Sequence, residues 1–176
     1  WHIYSDSDHA GDTTVGTNRS HTGIVILLNG MPIHWKSNKQ PITSYSSACA
    51  EIYALSECCR EARLIAWIAE EMGRQVPWPL VVYVDNAAGV SYQHSTCASS
   101  KLRGVYDQRS DWVKELKDQS SVTAEKVKTD KNLADLYTKC HAAAVRTRLQ
   151  QELEALANRI ASRKSEVNKA AELVKT

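Results

Sequence analysis

The stretch Thr22-Gly23-Ile24-Val25-Ile26-Leu27-Leu28-Asn29-Gly30-Met31-Pro32-Ile33-His34-Trp35-Lys36 decides the fold class. Thr22 to Leu28 is strongly β-prone, Asn29-Gly30 is the dipeptide that tight hairpins favour, and Met31 to Lys36 supplies the returning strand. Upstream, residues 2–6 alternate toward a first strand that delivers Asp6. Gly11 to Ser20 is polar, and Gly11, Gly16 and Asn18 mark it as a loop.

From Ser46 the period changes. Ala50, Tyr53, Ala54, Ala62, Leu64, Ile65, Ile68 and Met72 recur at helical spacing, with Ser46 or Ser47 as N-cap and Gly73 as C-cap. Pro77 and Pro79 punctuate before a strand over Leu80–Val84. A short helix is predicted over Asn86–Tyr92 and a clearer one over Val105–Leu116. The last strand is Val122–Val127, and another helix starts at about Asn132. The order β-β-β-α-β-α-α-β-α predicts an α/β fold, a mixed five-stranded sheet with helices on both faces.

Residues 142–176 are different. They are rich in Ala and in charged residues and contain no Gly, Pro or aromatic side chain. Leu149, Leu153, Leu156, Ile160, Val167, Ala170 and Val174 follow a 3-4 spacing broken at Arg163, which predicts a long amphipathic C-terminal helix. The expected organisation is a domain over 1–141 and a helical extension over 142–176. So short a seam is marginal alone, so it is expected to pack on the domain itself, a second copy or another protein. Removing residues 145–176 is expected to weaken such an association and leave the body folded.

The 22 Lys and Arg residues nearly balance 20 Asp and Glu, and residues 141–176 hold 7 basic against 4 acidic residues. The body is therefore close to neutral, and nucleic-acid binding would need a local patch rather than a general positive surface. The longest apolar runs fall far short of the roughly 20 residues of a membrane span. The 5 cysteines include no C-x-x-C pair, which argues against zinc and for reduced thiols. The expected setting is intracellular, cytoplasmic or nuclear, with an organelle or a large complex left open. The chain opens on Trp1 rather than Met, which fits a segment of a longer protein.

Four acids sit in short polar signatures: Asp6 in Tyr4-Ser5-Asp6-Ser7-Asp8, Glu51 in Ala50-Glu51-Ile52-Tyr53, Asp85 in Tyr83-Val84-Asp85-Asn86, and Asp135 in Ala134-Asp135-Leu136. Two end β-prone runs and two open helical runs, which lets a sheet-and-helix fold bring them together. Clustered carboxylates repel, and divalent cations with a taste for hard oxygen ligands, magnesium or manganese, relieve the conflict. The pattern points to metal-dependent phosphoryl transfer. Asp8 competes with Asp6 for the ligand role and Asp130 with Asp135; context favours Asp6 and Asp135. Glu57 and Glu61 read as surface charges, and the histidines lack metal-ligand spacing.

Five collinear blocks over about residues 1–140 carry a resemblance. Asp6-Ser7-Asp8-His9-Ala10-Gly11 resembles the D-x-D-x-A-G opening of the ribonuclease H domain of copia-type LTR retrotransposons. Trp35-Lys36-Ser37-Asn38-Lys39-Gln40 resembles its W-K-S-x-K-Q, and Ser46-Ser47 through Tyr53 its S-S-x-E-A-E-Y segment. Asp85-Asn86 and Ala134-Asp135-Leu136-Tyr137-Thr138-Lys139 are similar to its D-N step and A-D-x-x-T-K close. Cys49 stands where that family usually has Glu, and Gly104-Val105-Tyr106 replaces its Lys-His-Ile.

The resemblance implies an RNase H-like fold and an endonuclease that hydrolyses the RNA strand of RNA–DNA hybrids with two Mg2+ ions, Mn2+ substituting. Asp6, Glu51, Asp85 and Asp135 would be the catalytic metal-binding acids, with Asp6 bridging from a central strand. A metal pair can activate water and stabilise the leaving oxygen without a general-base histidine. Lys36, Ser37, Asn38, Lys39 and Gln40 are expected to meet phosphates and sugars of the hybrid. Ser7, Ser47 and Asn86, beside the acids, complete the expected substrate-binding set, while Lys101 and Arg103 read as surface charge. The implied context is a polyprotein with a reverse transcriptase domain upstream. The alternative is a retroelement-derived domain recruited as a structural subunit of a larger assembly, docking through its C-terminal helix.

Overall fold

The computed structural model describes residues 1–10, 18–95 and 108–138, and residues 146, 147, 149–151, 153–155, 158, 159 and 162 of the extension. Five strands form one sheet: β1 (His2–Asp8), β2 (His21–Leu28), β3 (Met31–Lys39), β4 (Leu80–Val84) and β5 (Val122–Lys126), in the order β3-β2-β1-β4-β5. β1 pairs antiparallel with β2 and parallel with β4, so it lies at the centre of a mixed sheet. The expected fold class holds.

The hairpin between β2 and β3 closes as its sequence dictates. Asn29 and Gly30 both take positive φ, 52° and 76°, the backbone a two-residue turn needs to match strand twist. β3 runs three residues beyond the expected Lys36, to Lys39. That carries Ser37, Asn38 and Lys39 along the sheet's outer edge.

The unbroken apolar run of β2 has a physical cause: both faces of the sheet are covered. Ile24 and Ile26 join a core formed with Leu55, Cys58, Cys59, Ala62 and Ala66 of α1 (Ser47–Glu71). Val25 and Leu27 point the other way, against Leu133, Ala134 and Leu149. The spacing of the α1 residues, 55, 58, 59, 62 and 66, is a single helical stripe. Ser46 caps α1 by accepting from the Cys49 amide at 3.2 Å, and the helix ends at Met72 and Gly73, whose φ is 74°.

Two shorter helices finish the first layer. α2 (Ala87–His94) starts at an Asn86 cap, and α3 (Gln108–Asp118) places Val113 and Leu116 in the core. The predicted start of α3 at Val105 lies outside the described residues, as do Lys101, Arg103, Lys139 and the Gly104-Val105-Tyr106 replacement. Asn132 does not open an α-helix. It caps a five-residue 3-10 helix, η2 (Leu133–Tyr137), preceded by a second short turn, η1 (Thr129–Lys131). The Asn132 side chain accepts from Ala134 N at 3.2 Å while donating to Ser5 O of β1 at 3.0 Å, and this double tie pulls the segment onto the sheet as a tight turn.

The described residues of the extension are helical. Leu149 is fully buried beside Val25, Leu27, Leu133 and Ala134, with Leu153 partly buried next to it. The front of the apolar stripe therefore packs on the domain's own sheet, one of the three expected occupants. No helix among the described residues is long and apolar enough to cross a membrane.

Burial of Leu149 brings this residue of the extension into the second core, which gives the expectation that the body stays folded without residues 145–176 a direct test. Leu149→Ala should destabilise the protein by about 2–4 kcal/mol through lost burial and a residual cavity. Urea denaturation of the variant measures this. A midpoint equal to that of the parent would show that the extension merely rests on the sheet.

Candidate metal centre and nucleic-acid interface

Parallel pairing of β1 and β4 builds the centre. The register sets Ile3 beside Val82 and Tyr4 beside Tyr83, and carried two residues on it sets Asp6 beside Asp85 at the same sheet edge. Glu51 arrives from the second turn of α1. The three residues offer ligand oxygens that all lie within 4.8 Å of one another. Asp6 is 1% exposed, Glu51 is also buried and Asp85 is half-buried. The donor set is all carboxylate, hard and anionic, which fits magnesium or manganese.

Asp135 is brought near but does not join that 4.8 Å set. It is buried within η2, one turn before Thr138, whose hydroxyl donates to Asp6 Oδ2. Asp8 is half-buried at the end of β1, and Asp130 is exposed in η1; neither belongs to the carboxylate group. Thr138 is a residue that sequence reasoning quoted within a motif but gave no role.

Several expected substrate contacts have structural partners. Gln40 is 1% exposed. Its Nε2 donates to Thr22 Oγ1 at 3.1 Å and Ala50 O at 3.0 Å, and its Oε1 accepts from Ser44 Oγ at 2.9 Å. Burial takes Gln40 out of reach of a bound duplex. Its work is to brace the loop before α1 against the carbonyl next to Glu51. Ser37 donates to Tyr137 O at 2.6 Å, tying β3 to η2. Asn86 Oδ1 caps α2 at Ala88 N, 2.8 Å away.

Lys36 is held between two carboxylates, 3.3 Å from Glu57 and 3.0 Å from Glu61, and Arg60 reaches the same pair at 2.9 and 3.0 Å. Glu57 and Glu61 are thus members of a half-buried ion network rather than free surface charges. Burial alone would raise the Glu61 carboxyl; hydrogen bonds from Lys36 and Arg60 outweigh it and hold the group below its ordinary value. Lys36, Asn38, Lys39, Tyr53 and Arg60 line a groove of about 280 Å³ between β3 and α1. Asn38, Lys39 and Ser47 are exposed. Ser7 is buried on the strand face opposite Asp6, and among the described residues its hydroxyl has no hydrogen-bond partner.

No family model matches the chain. The fold is that of ribonuclease H. LC11-RNase H1 in complex with an RNA/DNA hybrid superposes with a TM-score of 0.54 at 16% identity, covering 77% of this chain and 91% of that one. Relatives in sequence include retrovirus-related Pol polyproteins of plant transposons. The chain is 29% identical over 136 residues to that of transposon TNT 1-94 from Nicotiana tabacum, covering 77% of this chain and 10% of that protein. It is 39% identical over 93 residues to that of transposon RE2 from Arabidopsis thaliana, covering 52% of this chain and 6% of the relative. The chain thus spans about a tenth or less of the length of these relatives, and the resemblance to the retrotransposon ribonuclease H domain holds.

Two measurements check the centre. Asp6→Asn should weaken Mn2+ binding by about tenfold or more, since a ligand is worth at least what its supporting shell is worth. Asp8→Asn should change it little, and Asp135→Asn should exceed Asp130→Asn. Calorimetric titration with Mn2+ gives the ranking, and the reverse order in either pair displaces the assigned ligand. Separately, Glu61→Gln should cost about 0.5–1 kcal/mol at pH 7, a figure reduced for solvent screening. A depressed carboxyl contributes above its unfolded pKa and loses that contribution as pH falls through the folded one. Parent and variant should therefore converge in stability below the ordinary glutamate value of 4.5.

Proposed function

We propose that the chain is a metal-dependent endoribonuclease that hydrolyses the RNA strand of RNA–DNA hybrids, working within a retrotransposon Pol-type polyprotein beside a reverse transcriptase domain. The observation that carries the reading is the group formed by Asp6, Glu51 and Asp85, with ligand oxygens within 4.8 Å at one end of the sheet. Like charges so placed on three different elements have a use when cations join them. The likeness to LC11-RNase H1, solved with an RNA/DNA hybrid, and to transposon Pol polyproteins supports the substrate class.

Two Mg2+ ions, with Mn2+ able to substitute, would supply activation of the attacking water and stabilisation of the leaving oxygen. Asp6, Glu51 and Asp85 would hold them, with Asp135 completing the set from η2. Lys36, Asn38, Lys39 and Arg60, along the groove between β3 and α1, would meet the sugar-phosphate backbone, Lys36 and Arg60 from within their ion network with Glu57 and Glu61. Backbone contact suits a hybrid, which is recognised by shape and 2′-hydroxyls rather than by base edges. Ser47 at the start of α1 and Ser7 on β1 remain proposed contacts. An intracellular setting, cytoplasmic or nuclear, belongs to the same proposal, and Cys49, Cys58 and Cys59 are free thiols.

A labelled hybrid incubated with and without Mg2+ tests the reading. Cleavage of the RNA strand should require the metal, and double-stranded DNA should be cut weakly. Asp85→Asn should keep the fold and hybrid binding while abolishing most cleavage. Comparable cutting of duplex DNA would make this a general nuclease. A folded, hybrid-inert protein held stably in a complex would favour the structural-subunit alternative.

A further inference from the structure

We infer that Thr138 is the positioning residue of the metal centre: its hydroxyl fixes the carboxylate of Asp6, and Gly23 provides the cradle that lets it reach. The inference rests on the proposed function for its purpose and on the structure for its geometry. Thr138 follows η2 and is buried; its Oγ1 donates to Asp6 Oδ2, across 132 residues of sequence. The same hydroxyl lies 3.3 Å from the Asp135 main-chain oxygen, so its proton is confined between two acceptors on the metal side of the sheet.

Two further contacts hold Thr138 in place. Asn132, at the start of η2, donates to Ser5 O, one residue before Asp6, at 3.0 Å. Gly23 lies directly opposite Asp6 in the β1–β2 register. A Cβ at position 23 would come within 2.5 Å of Ala134 O and 2.6 Å of Thr138 Cγ2. Any side chain there would push η2 off the strand and withdraw the hydroxyl. Thus the absence of a side chain at residue 23, the Asn132 tie and the Thr138 hydroxyl act on one carboxylate.

The chemical consequence is preorganisation. A carboxylate with one oxygen held by a donor has lost its free rotation before any cation arrives. Such outer-shell hydrogen bonds are worth about 10–100-fold in metal affinity. Asp6 is the member for which this matters most, because it sits on the central strand between the elements that carry Glu51 and Asp85.

The test uses the whole 176-residue chain. Thr138→Ser keeps the hydroxyl and Thr138→Val keeps the shape; Thr138→Ala replaces Val if that variant does not fold. Mn2+ binding is read by electron paramagnetic resonance, with thermal midpoint and Mg2+ dependence of hybrid cleavage alongside. The expected result is binding about tenfold weaker for Val, near-parental binding for Ser, and a higher Mg2+ requirement for Val with partial recovery at saturating metal. Equal binding by Val and the parent overturns the inference. So does equal impairment of Val and Ser, which would make the role packing, and so does a parent that takes up no Mn2+. Weakened Mn2+ binding in Val with no hybrid cleavage by any form upholds the positioning role and instead overturns the ribonuclease reading.

Discussion

Asp6, Glu51 and Asp85 present oxygens within 4.8 Å of one another in a partly buried setting, where their repulsion is poorly screened by water. No local segment could tolerate that arrangement by itself. Asp6 is held because β1 is the central strand, hydrogen-bonded on both sides by β2 and β4. Asp85 is held because β4 runs parallel to β1, which forces the two strand ends to one edge. Glu51 is held by a 25-residue helix whose inner stripe is sealed against the sheet, and by Gln40 on the neighbouring Ala50 carbonyl. The sheet, its long helix and the buried glutamine share the cost of keeping like charges together.

Much of this was legible in the sequence, for identifiable reasons. Asn29-Gly30 has few structural uses outside a hairpin, so β2 and β3 were secure. The serines at 46 and 47 ahead of a change in period marked the start of α1 to within a residue, and the structure assigns the cap to Ser46. Gly73 reported the end of that helix because few other residues accept its φ. The four acids stood out because each closes an apolar run or opens a helix.

What was not legible depends on partners distant in sequence. Gln40 sits in a polar run and reads as a surface group; only the folded chain shows Thr22, Ser44 and Ala50 surrounding its amide. Lys36 reads as a bare charge near the end of a strand, and only the folded chain shows Glu57 and Glu61 facing it across the β3–α1 gap. The segment after Asn132 has helical spacing, yet the tie from its side chain to Ser5 tightens it into a 3-10 turn. Leu149 belongs to a helical stripe in either case, and its partner surface, Val25 and Leu27, could not be read from a repeat. Periodicity reports which face is apolar and is silent about what covers it.

Contacts that close over 127 and 132 residues also set the order in which the centre can mature. The hairpin and α1 are made of near neighbours and can form early, while the ends of β1 and of η2 meet only after nearly the whole domain has emerged. Closing so long a loop carries an entropic cost that is repaid only when the surrounding sheet is already in place. A nascent chain that has just delivered Asp85 would hold all three clustered acids and still lack the turn that steadies the first of them. The arrangement of the carboxylate group is therefore tied to completion of the domain, so that a partly synthesised or clipped chain would present any cation with a loosened carboxylate.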